Sequence, residues 1–239
     1  MRAVRALALP VEIMCGKFTQ MMSWGELHSL AAILGQAPVP NEVPETVTPM
    51  RFATLLVLDN LGRRNSVRMR WGFVPSREKT ALGPPKFIHA RAETIDSKPT
   101  FRDAFAHRRG LLIVESFNEG EEIGPRKTRQ YVLRAGDSAP VAIAAIWERW
   151  SQPGENSLLT FAMVTVPPNA LIGTITERMP ALLPQSDWPK WLGEEPAEID
   201  ELKALLRPYE GALDMVPSGA PPPPPRPGPK RRDDEPSLF

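Results

Sequence analysis

One cysteine, three histidines and a glutamate-rich stretch hold most of this chain's capacity for covalent or acid–base chemistry. The cysteine is Cys15, in the run Met14-Cys15-Gly16-Lys17-Phe18. A lone cysteine makes no internal disulfide, which suits a reducing compartment. Its plain reading is a small buried hydrophobe. Its chemical reading is a nucleophile, and an internal cysteine paired with a histidine would make a hydrolase. One cysteine with His28, His89 and His107 matches no zinc spacing, so neither a metal nor another cofactor is expected. Glu119 falls within Glu115 to Glu122, a stretch already rich in glutamate. Its plain reading is an exposed loop acid, and its chemical reading is a proton carrier. Trp71 reads most simply as the core tryptophan of a strand.

Short strands and a few helices must position these residues. Phe52 to Leu58, Ser66 to Phe73, Phe87 to Ala92, Leu111 to Val114, Gln130 to Arg134, Val141 to Trp147 and Leu158 to Val166 read as strands, with a turn at Asp59-Asn60-Leu61-Gly62. Helical spacing appears over Ser23 to Leu34, Thr100 to His107, Asp187 to Leu192 and Glu198 to Leu206. A proline-rich loop is expected from Pro38 to Pro49. The pattern predicts an α+β domain around a mixed or antiparallel sheet. The formal net charge is +1, so any nucleic-acid contact must come from a local basic patch. No apolar run approaches the ~20 residues of a membrane span. Residues 1–13 read as a dispensable leader or a mis-chosen start, because Pro10 and Glu12 interrupt their short apolar stretch. Met14 is then the initiator and residues 14–217 the domain. Composition changes at Ser218: five prolines from Pro221 to Pro225 precede Lys230-Arg231-Arg232 and Asp233-Asp234-Glu235, so residues 218–239 are expected to be a disordered charged tail.

Four segments, in order, resemble the SOS response-associated peptidase (SRAP) family. Met14-Cys15-Gly16-Lys17-Phe18 is similar to its opening Met-Cys-Gly-Arg-Phe. Trp71-Gly72-Phe73-Val74-Pro75 is similar to Trp-Gly-aromatic-x-Pro. Ile88-His89-Ala90-Arg91-Ala92-Glu93-Thr94 resembles Ile-Asn-Ala-Arg-x-Glu-Thr, and Ile175-Thr176-Glu177-Arg178-Met179-Pro180 resembles Ile-His-x-Arg-Met-Pro. Between the last two, Arg108-Arg109-Gly110 leads towards Glu119 as the family's Arg-Arg-Cys strand leads to an aromatic-aromatic-Glu-Trp turn. The resemblance spans about Met14 to Val216 and implies a barrel-like sheet with flanking helices. It further implies a damage-response protein that traps abasic sites in single-stranded DNA through an N-terminal cysteine, acting as a cytoplasmic monomer.

That chemistry is coherent. An abasic sugar opens to an aldehyde. A terminal cysteine offers an amine of pKa ~7.7–8.0 beside a thiol, so imine formation and ring closure to a thiazolidine are both available. An internal cysteine has only an amide nitrogen, so Cys15 must become the mature N-terminus. By the resemblance, Glu119 is the catalytic glutamate, Lys17, Arg91 and Arg178 contact DNA phosphates, and Trp71 lies near the DNA. His89 stands where the family has asparagine, and Thr176 where it has histidine. Gly120 replaces the turn's tryptophan, and Glu45-Thr46-Val47-Thr48-Pro49 replaces the Tyr-Asn-Val-x-Pro loop. Three readings therefore stand: a covalent trap in which Cys15, Glu119, His89 and Thr176 form the reacting centre, a non-covalent single-strand binder that has lost the chemistry, and a cysteine hydrolase that keeps its leader.

Overall fold

Phe52–Leu58 and Arg64–Trp71 form an antiparallel hairpin because the turn between them caps itself. Asp59 accepts from the backbone N–H groups of Leu61 and Arg63, and Gly62 takes φ 72°, where a side chain would be strained. In the computed structural model, which describes residues 16–20, 45–125, 127–137, 139–154 and 156–219, these are β3 and β4 of twelve strands among the described residues. The others are β1 (Lys17–Gln20), β2 (Glu45–Val47), β5 (His89–Arg91), β6 (Arg109–Val114), β7 (Ser116–Gly124), β8 (Lys127–Ala135), β9 (Val141–Trp150), β10 (Leu158–Val166), β11 (Met179–Pro180) and β12 (Leu213–Pro217). Three short α-helices among the described residues flank them: α1 (Arg102–His107), α2 (Trp188–Leu192) and α3 (Ile199–Leu205).

The strands form two sheets. One runs β12-β8-β7-β1-β2; the other runs β11-β10-β4-β3-β6-β9, with β5 beside β10. The second curls strongly, since β9 pairs with β6 along its first half and with β10 along its second. It is mixed, because β10 runs parallel to β4 and β5 while the other pairs are antiparallel. The expected α+β class holds. The expected barrel-like closure does not extend to the whole molecule, because the β12-to-β2 sheet is separate and open-edged. The chain steps from one sheet to the other at Glu115, whose N–H donates to Thr19 O at 3.1 Å, so β6 and β7 are nearly one bent strand. A second link is the side chain of Gln20: its Nε2 donates to Thr54 O (2.8 Å) and Ile113 O (3.1 Å), and its Oε1 accepts from Thr54 N (3.0 Å).

One continuous core joins the sheets. Phe18, Phe117 and Leu133 of the first meet Trp71, Phe161 and Ile113 of the second, each at most 2 % exposed. Burying such side chains is the main driving force of folding. The helices cover one side, with Trp191 donating to Gly110 O at 2.9 Å and Arg109 tying α1 to α2 through Phe105 O and Trp191 O. Glu198 and Glu201 form a reciprocal cap at the start of α3.

Several sequence expectations need correction. Ser116 to Gly124 is a strand, not a turn, and Glu45–Val47 forms strand β2 inside the expected proline-rich loop. The helix expected over Ser23 to Leu34, residues 1–13, Met14, Cys15, and the tail beyond Gly219 lie outside the described residues. No helix among the described residues is long and apolar enough to cross a membrane.

Candidate functional site

Glu119 is the most unusual side chain in the first sheet. It is a carboxylate 1 % exposed, in the middle of β7 opposite Tyr131. The loop reading is overturned by pairing on both edges: β1 lies on one side of β7 and β8 on the other. Burying a carboxylate is costly unless the fold compensates it, which makes this position a candidate for chemistry. Strand alternation puts Glu119 on the same face as Phe117, which sits opposite Phe18. Lys17 is opposite Asn118, whose Nδ2 donates to Tyr131 O at 3.2 Å. Cys15 is outside the described residues, but it precedes Lys17 by only two residues. Chain length alone keeps their Cα atoms within about 7 Å.

Across the core, the ring of Phe18 lies 5.2 Å from that of Trp71, and Trp71 lies 6.1 Å from His89, edge-on. Trp71 also stacks on Phe161 at 6.3 Å and donates its indole N–H to Ile88 O at 2.9 Å. It is 0 % exposed. Of its two readings, the core tryptophan of a strand is the one the packing supports, and Trp71 backs His89. His89 itself opens β5 opposite Met163 and is half-buried. Phe18, Trp71 and His89 thus form a continuous aromatic wall leading from the strand of Lys17 to β5.

Arg91 is exposed at the end of β5, opposite Thr165. On the other edge of β10, Thr165 pairs with Pro180 of β11, which brings in the segment of Arg178. The Arg178 guanidinium grips both oxygens of Glu93, Nη1 to Oε1 by a short contact and Nη2 to Oε2 at 2.9 Å. Its Nη2 also donates to Thr165 O at 2.7 Å. Hydrogen bonding to Arg178 holds the Glu93 carboxyl below its ordinary pKa. Arg178 is thus already engaged within the chain and braces the β5 and β11 ends, leaving Arg91 as the exposed arginine of the pair. Thr176, half-buried, donates its N–H to Ile172 O at 3.0 Å, two residues before Arg178.

The arrangement joins β1, β5, β7 and β10 around one corner where the two sheets meet. It offers a buried carboxyl in Glu119, an imidazole in His89, and cations in Lys17 and Arg91. Among the described residues no group of three or more His, Cys, Asp or Glu side chains is placed to hold a metal ion. Phe18, Asn118 and Glu93 belong to the site's frame but were not singled out from sequence. Glu93 follows Arg91 by two residues, and that spacing is its signal in the sequence.

The chain is similar to several known proteins. The "Abasic site processing protein YoqW" of Bacillus subtilis is 30 % identical over 205 residues, covering 82 % of this chain and 88 % of that one. The "Abasic site processing protein HMCES" of Mus musculus is 24 % identical over 206 residues, covering 72 % of this chain and 58 % of that one. A solved protein from Bacteroides thetaiotaomicron superposes with a TM-score of 0.71 at 23 % identity, over 84 % of this chain and 91 % of that one. One from Bordetella bronchiseptica also reaches 0.71, at 20 % identity, over 85 % and 99 %. The family described as "SOS response associated peptidase (SRAP)" matches residues 14–219, from the Met14-Cys15 pair past the end of β12. With the fold, the motif order and the match over most of its length in agreement, the chain belongs to the SRAP family.

Proposed function

We propose that this protein recognises abasic sites in single-stranded DNA and joins to them covalently through Cys15. The observation that carries the reading is Glu119, a carboxylate 1 % exposed on the strand that pairs with β1, two residues from the only thiol. Two relatives named as abasic site processing proteins supply the substrate class. The leader ahead of Cys15 is removed, by hydrolysis of the Met14–Cys15 peptide bond or by initiation at Met14 and loss of that methionine. The freed α-amine attacks the sugar aldehyde to give a carbinolamine. Loss of water gives the imine, and the thiol then adds across the C=N bond, its proton passing to nitrogen. Net, one water leaves and a thiazolidine ring remains. Glu119 donates and recovers the proton at carbinolamine collapse, and can activate water for leader removal. Lys17 and Arg91 hold the phosphates on either side.

The purified full-length protein tests this directly. Its mass and first residue should correspond to a chain starting at Cys15, and incubation with an abasic single strand should give a heat-stable shifted band. Cys15→Ala, once its N-terminus is processed, should give that band only after borohydride reduction, because an amine remains but no thiol. A chain that begins before Cys15 and still cross-links would defeat the proposal.

His89 takes the place of the imidazole missing at Thr176. It stands on the wall formed by Trp71, half-buried, and carries an imidazole that can accept and donate a proton, which a threonine lacks. His89→Asn should slow cross-linking by at least ~10-fold, the low end of what loss of a proton-transfer group costs. His89→Asn combined with Thr176→His should recover the rate. Single-turnover rates check both, and a neutral His89→Asn, with a faster reaction for Thr176→His alone, would show that residue 89 only fills space.

A further inference from the structure

The hairpin β3–β4 turns its inner face to the core through Ala53, Leu55, Met69 and Trp71, each at most 2 % exposed. Its outer face is different. Phe52 is directly opposite Arg70, and Thr54 is opposite Arg68, so these four side chains form two adjacent cross-strand rows on one face. Phe52 is 42 % exposed and Arg68 is exposed, while Arg70 is half-buried and donates from Nη2 to Ala81 O at 3.1 Å. Arg51, also exposed, stands at the mouth of the hairpin. Among the described residues neither Arg51 nor Arg68 carries a side-chain hydrogen bond or ion pair. The other cations of the hairpin are engaged: Arg63 with Asp59 and Arg64 with Glu194. Between Arg51 and Trp71 the only acidic residue is Asp59, at the far turn, and the nearby Glu78 is paired with Lys86.

Two arginines without side-chain partners among the described residues, Arg51 and Arg68, beside an exposed aromatic ring and with no carboxylate in the row, are complementary to a polyanion that carries flat apolar groups. The ring has a face to offer a base, and bases show their faces only where they are unpaired. The position fits a continuation of the candidate site. Val47 pairs with Phe18, and the chain runs from it through Thr48, Pro49 and Met50 to Arg51, whose carbonyl accepts from Trp71 N. The arginine row therefore begins a few residues from the corner holding Lys17 and His89. Beside it, a small cleft of about 30 Å³ opens between Arg70, Phe73, Leu82, Pro85 and Phe87, with Leu82 86 % exposed.

We propose that Arg51, Phe52, Arg68 and Arg70 form a second, sequence-independent platform for single-stranded DNA, which holds the strand running away from the reacting nucleotide by stacking one base on Phe52 between arginine–phosphate contacts. The inference takes from the proposed function only the class of partner. Its test uses undamaged strands, so failure of the cysteine chemistry and failure of the platform are read separately.

Fluorescence anisotropy with the full chain compares undamaged strands of about 5 and about 15 nucleotides, within the span of ordinary single-strand sites. The longer strand should bind wild type more tightly. Phe52→Ala with Arg68→Ala should remove that gain, roughly 5- to 150-fold for one stacked base, and should reduce the salt slope by about 0.7 for each lost phosphate contact. The short strand should bind both proteins equally. Arg63→Ala, which removes one positive charge at the far turn, should change nothing. Both altered side chains are exposed, so an unchanged melting temperature is expected and confirms that the fold is intact. Equal binding of short and long strands by wild type, a variant that keeps the gain, or a duplex that gains as much as a single strand would each overturn the proposal.

Discussion

Replacing Glu119 by glutamine is expected to slow covalent capture of an abasic strand by ~10²–10⁴-fold, the usual weight of a positioned proton-transfer group. The amide keeps the size and shape of the carboxyl, so β7 should remain paired between β1 and β8. Binding of an unreactive strand should not change, because Glu119 is 1 % exposed and presents almost no surface to a phosphate. The signature is therefore a collapse in the single-turnover rate at constant Kd. If leader removal also draws on this carboxyl, the variant should accumulate unprocessed chain, visible by intact mass. Glu119→Gln protein that starts at Cys15 and reacts at the wild-type rate would exclude the carboxyl from the chemistry.

Trp71→Ala should cost about 3–5 kcal/mol of stability, as expected for an aromatic side chain removed from a packed core. Trp71 is 0 % exposed, touches Phe18, Phe161 and His89, and bonds Ile88 O. Trp71→Phe separates the two contributions. It keeps a ring but removes the indole donor to Ile88 O, which still accepts from Met163 N at 3.1 Å, so the loss should be about 0.5–1.5 kcal/mol, the net weight of one hydrogen bond. Urea unfolding gives both values. The reaction rate should fall with Trp71→Ala even in the fraction that stays folded, because His89 loses the surface that orients it. If Trp71→Ala melts like wild type, the packing described for this wall is wrong.

The strands that could be read in advance were those whose residues carry their own signal. Phe52–Leu58 and Leu158–Val166 are apolar runs between turn formers, and both match the observed bounds. β7 has no such signal: its only large apolar residues are Phe117 and Ile123, separated by Asn118, Glu119, Gly120, Glu121 and Glu122, and the strand exists because β1 and β8 satisfy its backbone on both edges. Long-range pairing of that kind does not appear in local composition. For the same reason Glu119 looked like a surface acid, and only the order of the surrounding motifs marked it. Trp71 and Arg178 show the opposite case. Their motifs were plain, yet whether an indole faces core or solvent, and whether a guanidinium is engaged by a neighbour such as Glu93, depends on contacts distant in sequence.

The side chain of Gln20 has a mechanical consequence. A DNA strand joined at Cys15 would transmit any pull on the polymer into β1, which starts two residues later. β1 has partners on both edges, β2 and β7, so a load along its axis falls on several ladder hydrogen bonds together instead of opening them one at a time. At the trailing end, the Gln20 amide fastens this strand to Thr54 and Ile113 in the other sheet. Tension on the tether is thus shared by both halves of the fold, and extraction of the strand must break the seam between the sheets as well as the ladder.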